Sequence, residues 1–151
     1  MNRYLKLLLA IIICEGVGFI GSIFTVNSID TWYIVLQKPF FNPPPWIFAP
    51  VWAVLYLLMG ISLYLVWEIK KVHLKWFWIQ LFLNVFWSII FFGFRNPSLA
   101  FLEILFLWIS IAITIKSFIG FNKNAAYLLF PYFSWVSFAV ILNLAIVLLN
   151  K

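Results

Sequence analysis

Ionisable chemistry is scarce in this chain. Of its 151 residues four are acidic, one is histidine and one is cysteine, and only 9% carry a charge. A soluble domain has about a quarter of its residues charged, so a water-soluble globular fold is excluded. The lone Cys14 rules out an intrachain disulfide; within an apolar run it behaves as a small hydrophobe. The lone His73 has no second histidine or cysteine near it, so no metal site is expected. There is no glycine-rich phosphate loop, which removes an ATP-driven engine. No nucleophile sits beside a candidate base, so hydrolytic catalysis has no support.

What is present is apolar and aromatic. Hydrophobic residues make up 66% of the chain, with 18 Phe, nine Trp and six Tyr, and mean hydropathy is +1.10. Disordered tails are poor in aromatics, so this is not one. A hydrocarbon core about 30 Å thick takes about 20 helical residues per crossing, which allows at most about six spans in one membrane domain, 1–151. The formal charge of +6 would fit a nucleic-acid partner in a soluble protein. Here the cations flank apolar runs, as membrane anchors do, and no nucleic-acid partner is expected.

Charges and helix breakers divide the chain into five spans, near 5–26, 46–67, 75–94, 98–118 and 125–149. The expected fold is an all-α membrane protein, a five-helix transmembrane bundle. The first apolar run lacks a small-residue cleavage site and resumes after Glu15, so it reads as a retained span. The one long loop, Asn27 to Pro45, holds Asp30, Lys38, Pro39 and the run Pro43-Pro44-Pro45. Arg3, Lys6, Lys70, Lys71, Lys75, Lys116 and Lys123 fall on one side of the membrane, against Lys38, Arg95 and Lys151 on the other. The positive-inside bias places the N-terminus in the cytoplasm and the proline-rich loop outside. Without a cleavable presequence, a bacterial plasma membrane is the expected location.

Polar residues inside spans point to the interior, because unpaired polar groups are costly against lipid. Glu15 lies near mid-membrane and reads either as a hydrogen-bonded structural acid or as a proton-coupled carboxylate. Glu103 reads either as a helix-end acid near the favourable N-terminal dipole, with Arg95 an available partner, or as a group facing a ligand cavity. Cys14, Gly18 and Ser22, spaced by four, form a small-residue packing face for a neighbouring helix or a second copy. The second helix alternates rings and gaps through Trp46, Ala49, Pro50, Ala53, Tyr56 and Gly60. The third carries Gln80, Asn84, Trp87, Ser88 and Phe91 on one face, and the fifth Tyr132, Trp135, Ala139 and Asn143, with a kink expected at Pro131. Such stripes can be plain core packing, and Trp67, Trp76 and Trp78 suit an interfacial belt. The company of Asn84 and Asn143 favours a cavity for a flat apolar ligand.

Specific motifs run through most of the chain. They are Trp32-Tyr33, Leu36-Gln37-Lys38-Pro39, Pro43-Pro44, Trp46, Pro50-Val51-Trp52, Leu55-Tyr56 and Met59-Gly60. Further on come Gln80-Leu81, Leu83-Asn84, Trp87, Phe91-Phe92-Gly93, Pro131-Tyr132, Trp135, Phe138-Ala139 and Leu142-Asn143. In these the chain resembles the translocator protein (TspO/MBR) family, also called tryptophan-rich sensory proteins or peripheral-type benzodiazepine receptors. The resemblance implies five transmembrane helices, a homodimer and a ligand cavity capped by the loop between helices 1 and 2. It implies binding of porphyrins such as protoporphyrin, of benzodiazepine-type and isoquinoline carboxamide ligands and, in animal members, of cholesterol. No resident cofactor is implied; porphyrin is ligand or substrate.

By position, the implied pocket takes Trp32 and Pro39 from the loop. Helix two gives Trp46, Ala49, Pro50, Ala53 and Tyr56, helix three Asn84, Trp87 and Phe91, and helix five Tyr132, Trp135, Ala139 and Leu142. Lys38 or Arg95 would meet porphyrin propionates near the mouth. The leading expectation is a membrane receptor or sensor. The alternatives are light- and oxygen-dependent porphyrin breakdown, with Trp87 or Trp135 as oxidisable donor, and facilitated or proton-coupled transport resting on Glu15. One departure stands out: Asn143 is followed by Leu144, Ala145 and Ile146, without the Tyr and Arg of the animal cholesterol motif. Physiological cholesterol binding is therefore not expected.

Overall fold

Asn2 opens the first helix: its side chain accepts the Tyr4 N–H at 3.0 Å, satisfying a donor that the first turn leaves free. The computed structural model describes residues 1–151, and from Asn2 helix α1 runs Arg3–Ile29. The helix thus continues past Val26 into residues expected to be loop. Ser28 explains the extension, because its hydroxyl donates to the Phe92 carbonyl at 2.8 Å. That carbonyl has no ordinary helical partner at its own helix end, because the Asn96 N–H four residues on donates to the Ile90 carbonyl instead, at 3.1 Å, and Pro97 has no N–H to give. A polar residue is therefore accommodated in α1 by an acceptor that the third span leaves over.

After a short 3-10 turn, Tyr33–Val35, helix α2 runs Pro45–Val66, with proline at its first position, where a missing N–H costs nothing. Helix α3, Lys75–Ser88, continues into a π-helical turn over Ile89–Gly93. The chain then reverses at Arg95, whose φ of 53° is the left-handed region, and Asn96 caps α4 (Pro97–Ile119) by accepting from Leu99 N–H at 3.0 Å. The fifth span is two helices, α5 (Lys123–Tyr127) and α6 (Phe130–Leu149). The expected kink falls just before Pro131, at Leu128 and Leu129, since Pro131 cannot donate back to the preceding turn.

Five segments are long and apolar enough to cross a membrane, and no strand is present. In the bundle α1 packs on α2 and α3, α3 on α4, and α4 on α5 and α6; α2 closes the ring against α5. The two ends of this ring differ. At the end that holds the N-terminus the helices are drawn tightly together. A Cβ placed on Gly60 would lie 2.7 Å from the Ile11 Cα, so only glycine permits this approach of α2 to α1. Lys6 and Glu68 form an ion pair at the same end. Met59, Leu63, Phe77, Leu107, Ile111 and Phe118 fill the core there.

At the opposite end the helices are lined with rings and small residues, and space remains between them. The outer surface is apolar, with Ile20, Phe82, Phe106, Ile141 and Leu148 exposed. That arrangement suits hydrocarbon as the surrounding medium.

Candidate ligand-binding site

The space at the loop end is a cavity of about 580 Å³ between α1, α2, α3 with its π turn, and α6. It falls within the usual size range of small-molecule pockets. Helix α2 contributes Trp46, Phe48, Ala49, Trp52, Ala53 and Tyr56, in which alanines leave gaps between rings. From the third span come Asn84, Trp87, Ser88, Phe91 and Phe92, and from α6 Trp135, Phe138, Ala139, Leu142, Asn143 and Ile146. Trp87 stacks on Phe91, with centroids 4.9 Å apart and planes at 24°. Across the cavity Phe48 meets Trp135 edge-on at 6.2 Å, and Trp135 leans on Phe138 at 5.6 Å.

The wall is held by a directed chain of hydrogen bonds. Tyr56 OH donates to Asn84 Oδ1 (2.9 Å), Asn84 Nδ2 to Tyr132 OH (2.7 Å) and Tyr132 OH to Gln80 Oε1 (2.8 Å). The chain ends where Gln80 Nε2 meets the Met59 sulfur at 4.0 Å. Gln80, Asn84 and Tyr132 are buried, and each finds partners, which is what permits amides and a phenol at this depth. A second anchor fixes one of the indoles: Trp87 Nε1 donates to Asn143 Oδ1 at 3.0 Å, and Asn143 Nδ2 donates to the Pro97 carbonyl at 2.9 Å.

The loop between α1 and α2 closes the end of the cavity. Tyr33, 4% exposed, lines it and donates its hydroxyl to Asn42 Oδ1 at 2.7 Å. Burial pushes its phenol up to about 12, against the smaller lowering effect of the Asn42 bond. Lys38 braces the loop from within. Its ammonium donates to the carbonyls of Tyr33 (2.9 Å), Ile34 (3.2 Å) and Leu36 (2.9 Å) and lies 5.0 Å from the Tyr33 ring centre. The loop is also stapled to the end of α6: Asn150 Oδ1 accepts from Gln37 N–H (3.0 Å) and Asn150 Nδ2 donates to the Gln37 carbonyl (2.8 Å).

The structure brings Trp46, Ala49, Ala53, Tyr56, Asn84, Trp87, Phe91, Trp135, Ala139 and Leu142 together on the cavity wall. Four expected site residues lie off it. Trp32 stands edge-on to Phe91 at 5.6 Å and faces a separate hollow of about 210 Å³, with Arg95 and Asn150. Pro39 is in the loop and makes a turn with Asn42. Pro50 is on the exposed side of α2, and Tyr132 is fully buried behind Asn84, supporting the wall without lining it.

The feature that the sequence stripes passed over is the α1 wall. Glu15, Gly18, Phe19, Gly21, Ser22, Thr25, Val26 and Ile29 all line the cavity, together with Asp30. Spacing of three and four from Glu15 is the signal that could have found them. Gly18 lets the Tyr56 ring lie against the helix: an added Cβ would come within 2.5 Å of two ring carbons. Phe19, Val26 and Trp46 are exposed as well as lining, so the mouth lies between α1 and α2. For Glu103 neither expected alternative holds. It is absent from the wall, Arg95 is not its partner, and both its carboxyl oxygens are buried without a hydrogen bond.

A helical bundle of this kind, with five spans around an aromatic cavity under a braced loop, defines an integral membrane protein. The chain belongs to the TspO/MBR family, whose profile matches residues 10–149. It is 45% identical to the tryptophan-rich protein TspO of Archaeoglobus fulgidus, with 97% of each chain aligned. The protein of the same name from Chlorobaculum tepidum is 43% identical over 99% of both chains. The translocator protein of Homo sapiens is 39% identical over 83% of this chain and 78% of its own.

Proposed function

We propose that this protein is a membrane receptor or sensor that binds a flat, largely apolar ring system in the cavity, with tetrapyrroles such as protoporphyrin as the first class to test. The observation that carries the reading is a cavity of about 580 Å³ walled by Trp46, Trp52, Trp87, Phe91 and Trp135. Macrocycles stack favourably on such faces. The relatives named translocator and tryptophan-rich proteins are consistent with this reading. Benzodiazepine-type and isoquinoline ligands, smaller and uncharged, suit the same walls. The propionates of a porphyrin have no cation to meet inside, because Lys38 is held by three carbonyls and Arg95 belongs to the smaller hollow. They would have to project through the mouth.

The experiment is quenching of tryptophan fluorescence by protoporphyrin, in the dark, on detergent-solubilised protein. Saturable quenching that weakens in Trp135→Phe and in Asn84→Ala supports the assignment. Unchanged affinity in both variants removes it. A second reading, light-driven oxidation of the bound ring, is favoured by one observation: the indoles of Trp87 and Trp135 both line the cavity. Loss of the Soret band only with protein, light and oxygen together would support it; equal loss under nitrogen would reject it.

A further inference from the structure

The cavity wall carries only two charged residues, Glu15 and Asp30, and both are acids. No lysine or arginine lines it. Glu15 is half-buried, faces the cavity and forms neither an ion pair nor a hydrogen bond with any other residue. Asp30 lies fifteen residues further along, about 22 Å away by helical rise, at the end of α1 under the loop. A ligand the length of a few fused rings that reaches Glu15 therefore does not also reach Asp30.

A carboxylate among aromatic rings at this depth is costly without a partner, and the chain provides none. Two further features define the missing partner. The rings that line the same cavity, among them Trp52, Trp87 and Trp135, offer π faces that attract positive charge. The wall offers no cation to an acidic group, so a ring that carries carboxylates has to keep them at the mouth, whereas a cationic group is met inside by Glu15.

We propose that the cavity selects organic cations: a flat aromatic ring bearing a protonated amine or quaternary nitrogen, its rings against the tryptophans and its charge paired with Glu15. The proposal rests on the reading of this cavity as a ligand site and specifies which ring systems it prefers. Glu15 acts as the selectivity residue, and neutral rings of the same size bind without using it.

The test compares three flat tricyclic probes at neutral pH in an uncharged detergent: proflavine as the cation, acridine as the neutral ring and anthracene carboxylate as the anion. Binding is read from tryptophan quenching on the full chain and on Glu15→Gln. The expected result is proflavine binding tighter than anthracene carboxylate by on the order of thirty-fold or more. That margin should collapse in Glu15→Gln while acridine binding is unchanged, which also shows the variant to be folded. Equal affinities in the native chain, or a cation preference that survives Glu15→Gln, would overturn the proposal and leave the ligand cavity standing. Failure of all three probes to bind would remove the cavity reading itself, and the proposal with it.

Discussion

Trp87 donates its indole N–H to the side-chain oxygen of Asn143 at 3.0 Å, joining the third span to the fifth beside the cavity. The same amide reaches the Pro97 carbonyl at 2.9 Å, so one residue ties three spans together. This indole of the cavity wall is anchored by a residue 56 positions away in the chain.

Replacing Asn143 by Leu leaves the Trp87 N–H without an acceptor. A cost of about 0.5–2 kcal/mol is expected, in keeping with measured hydrogen bonds inside membrane proteins. Thermal unfolding in detergent should move down by a few degrees and ligand quenching should weaken. A variant as stable as the parent, with unaltered quenching, would show that the bond does not position Trp87.

The glycines of α1 and α2 are expected to respond unequally to alanine. At Gly60 the new methyl meets Ile11 backbone at 2.7 Å, and at Gly18 it meets the Tyr56 ring at 2.5 Å. Gly60→Ala should lower stability, since backbone must move. Gly18→Ala should displace Tyr56 from Asn84 and weaken ligand binding more than stability. Gly16 has nothing within 4 Å, and Gly16→Ala should be neutral or slightly stabilising. Equal behaviour of all three in melting and binding assays would contradict the close packing described.

Glu103 keeps two buried oxygens without partners. A buried polar group left unsatisfied costs about 1–3 kcal/mol, and an apolar side chain of similar size does not incur that cost. Glu103→Leu should therefore melt higher than the parent, whereas Glu103→Gln, which still buries polar atoms, should not. A lower melting temperature for Glu103→Leu would mean that the carboxyl has a partner in the membrane.

The pH response of the loop follows from Tyr33. Its phenol is raised from 10.0 to about 12 by burial, so the folded loop favours the neutral form. That contribution is complete below pH 10 and is lost as pH rises through about 12. Tyrosinate absorption that develops above pH 10 should fall by one tyrosine in Tyr33→Phe. Titration of every tyrosine near pH 10 would place Tyr33 in water.

Much of the architecture could be read from hydropathy alone, because membrane spans must be long, apolar and closed by charges or prolines. The ring-and-gap stripes of α2, α3 and α6 put most of their residues on one cavity. The α1 wall was harder to read. Its lining residues are an ordinary mixture of Gly, Ser, Thr and Val, and small residues at that spacing fit packing as well as a cavity. Ser28 shows the same limit from another side: it extends α1 only because the end of the third span, far along the chain, supplies the Phe92 carbonyl. The engagement of Lys38 with three loop carbonyls is likewise a matter of local folding that no motif announces.

The double hydrogen bond between Gln37 and Asn150 makes the carboxyl end of the chain part of the mechanical linkage that holds the loop. Force or bulk applied just past Asn150 is transmitted to the cover of the cavity through two short bonds. A tether, reporter or surface linkage attached there becomes a lever on ligand access. The amino end, beside the tightly packed part of the bundle and its Lys6–Glu68 pair, is the mechanically quiet place for attachment.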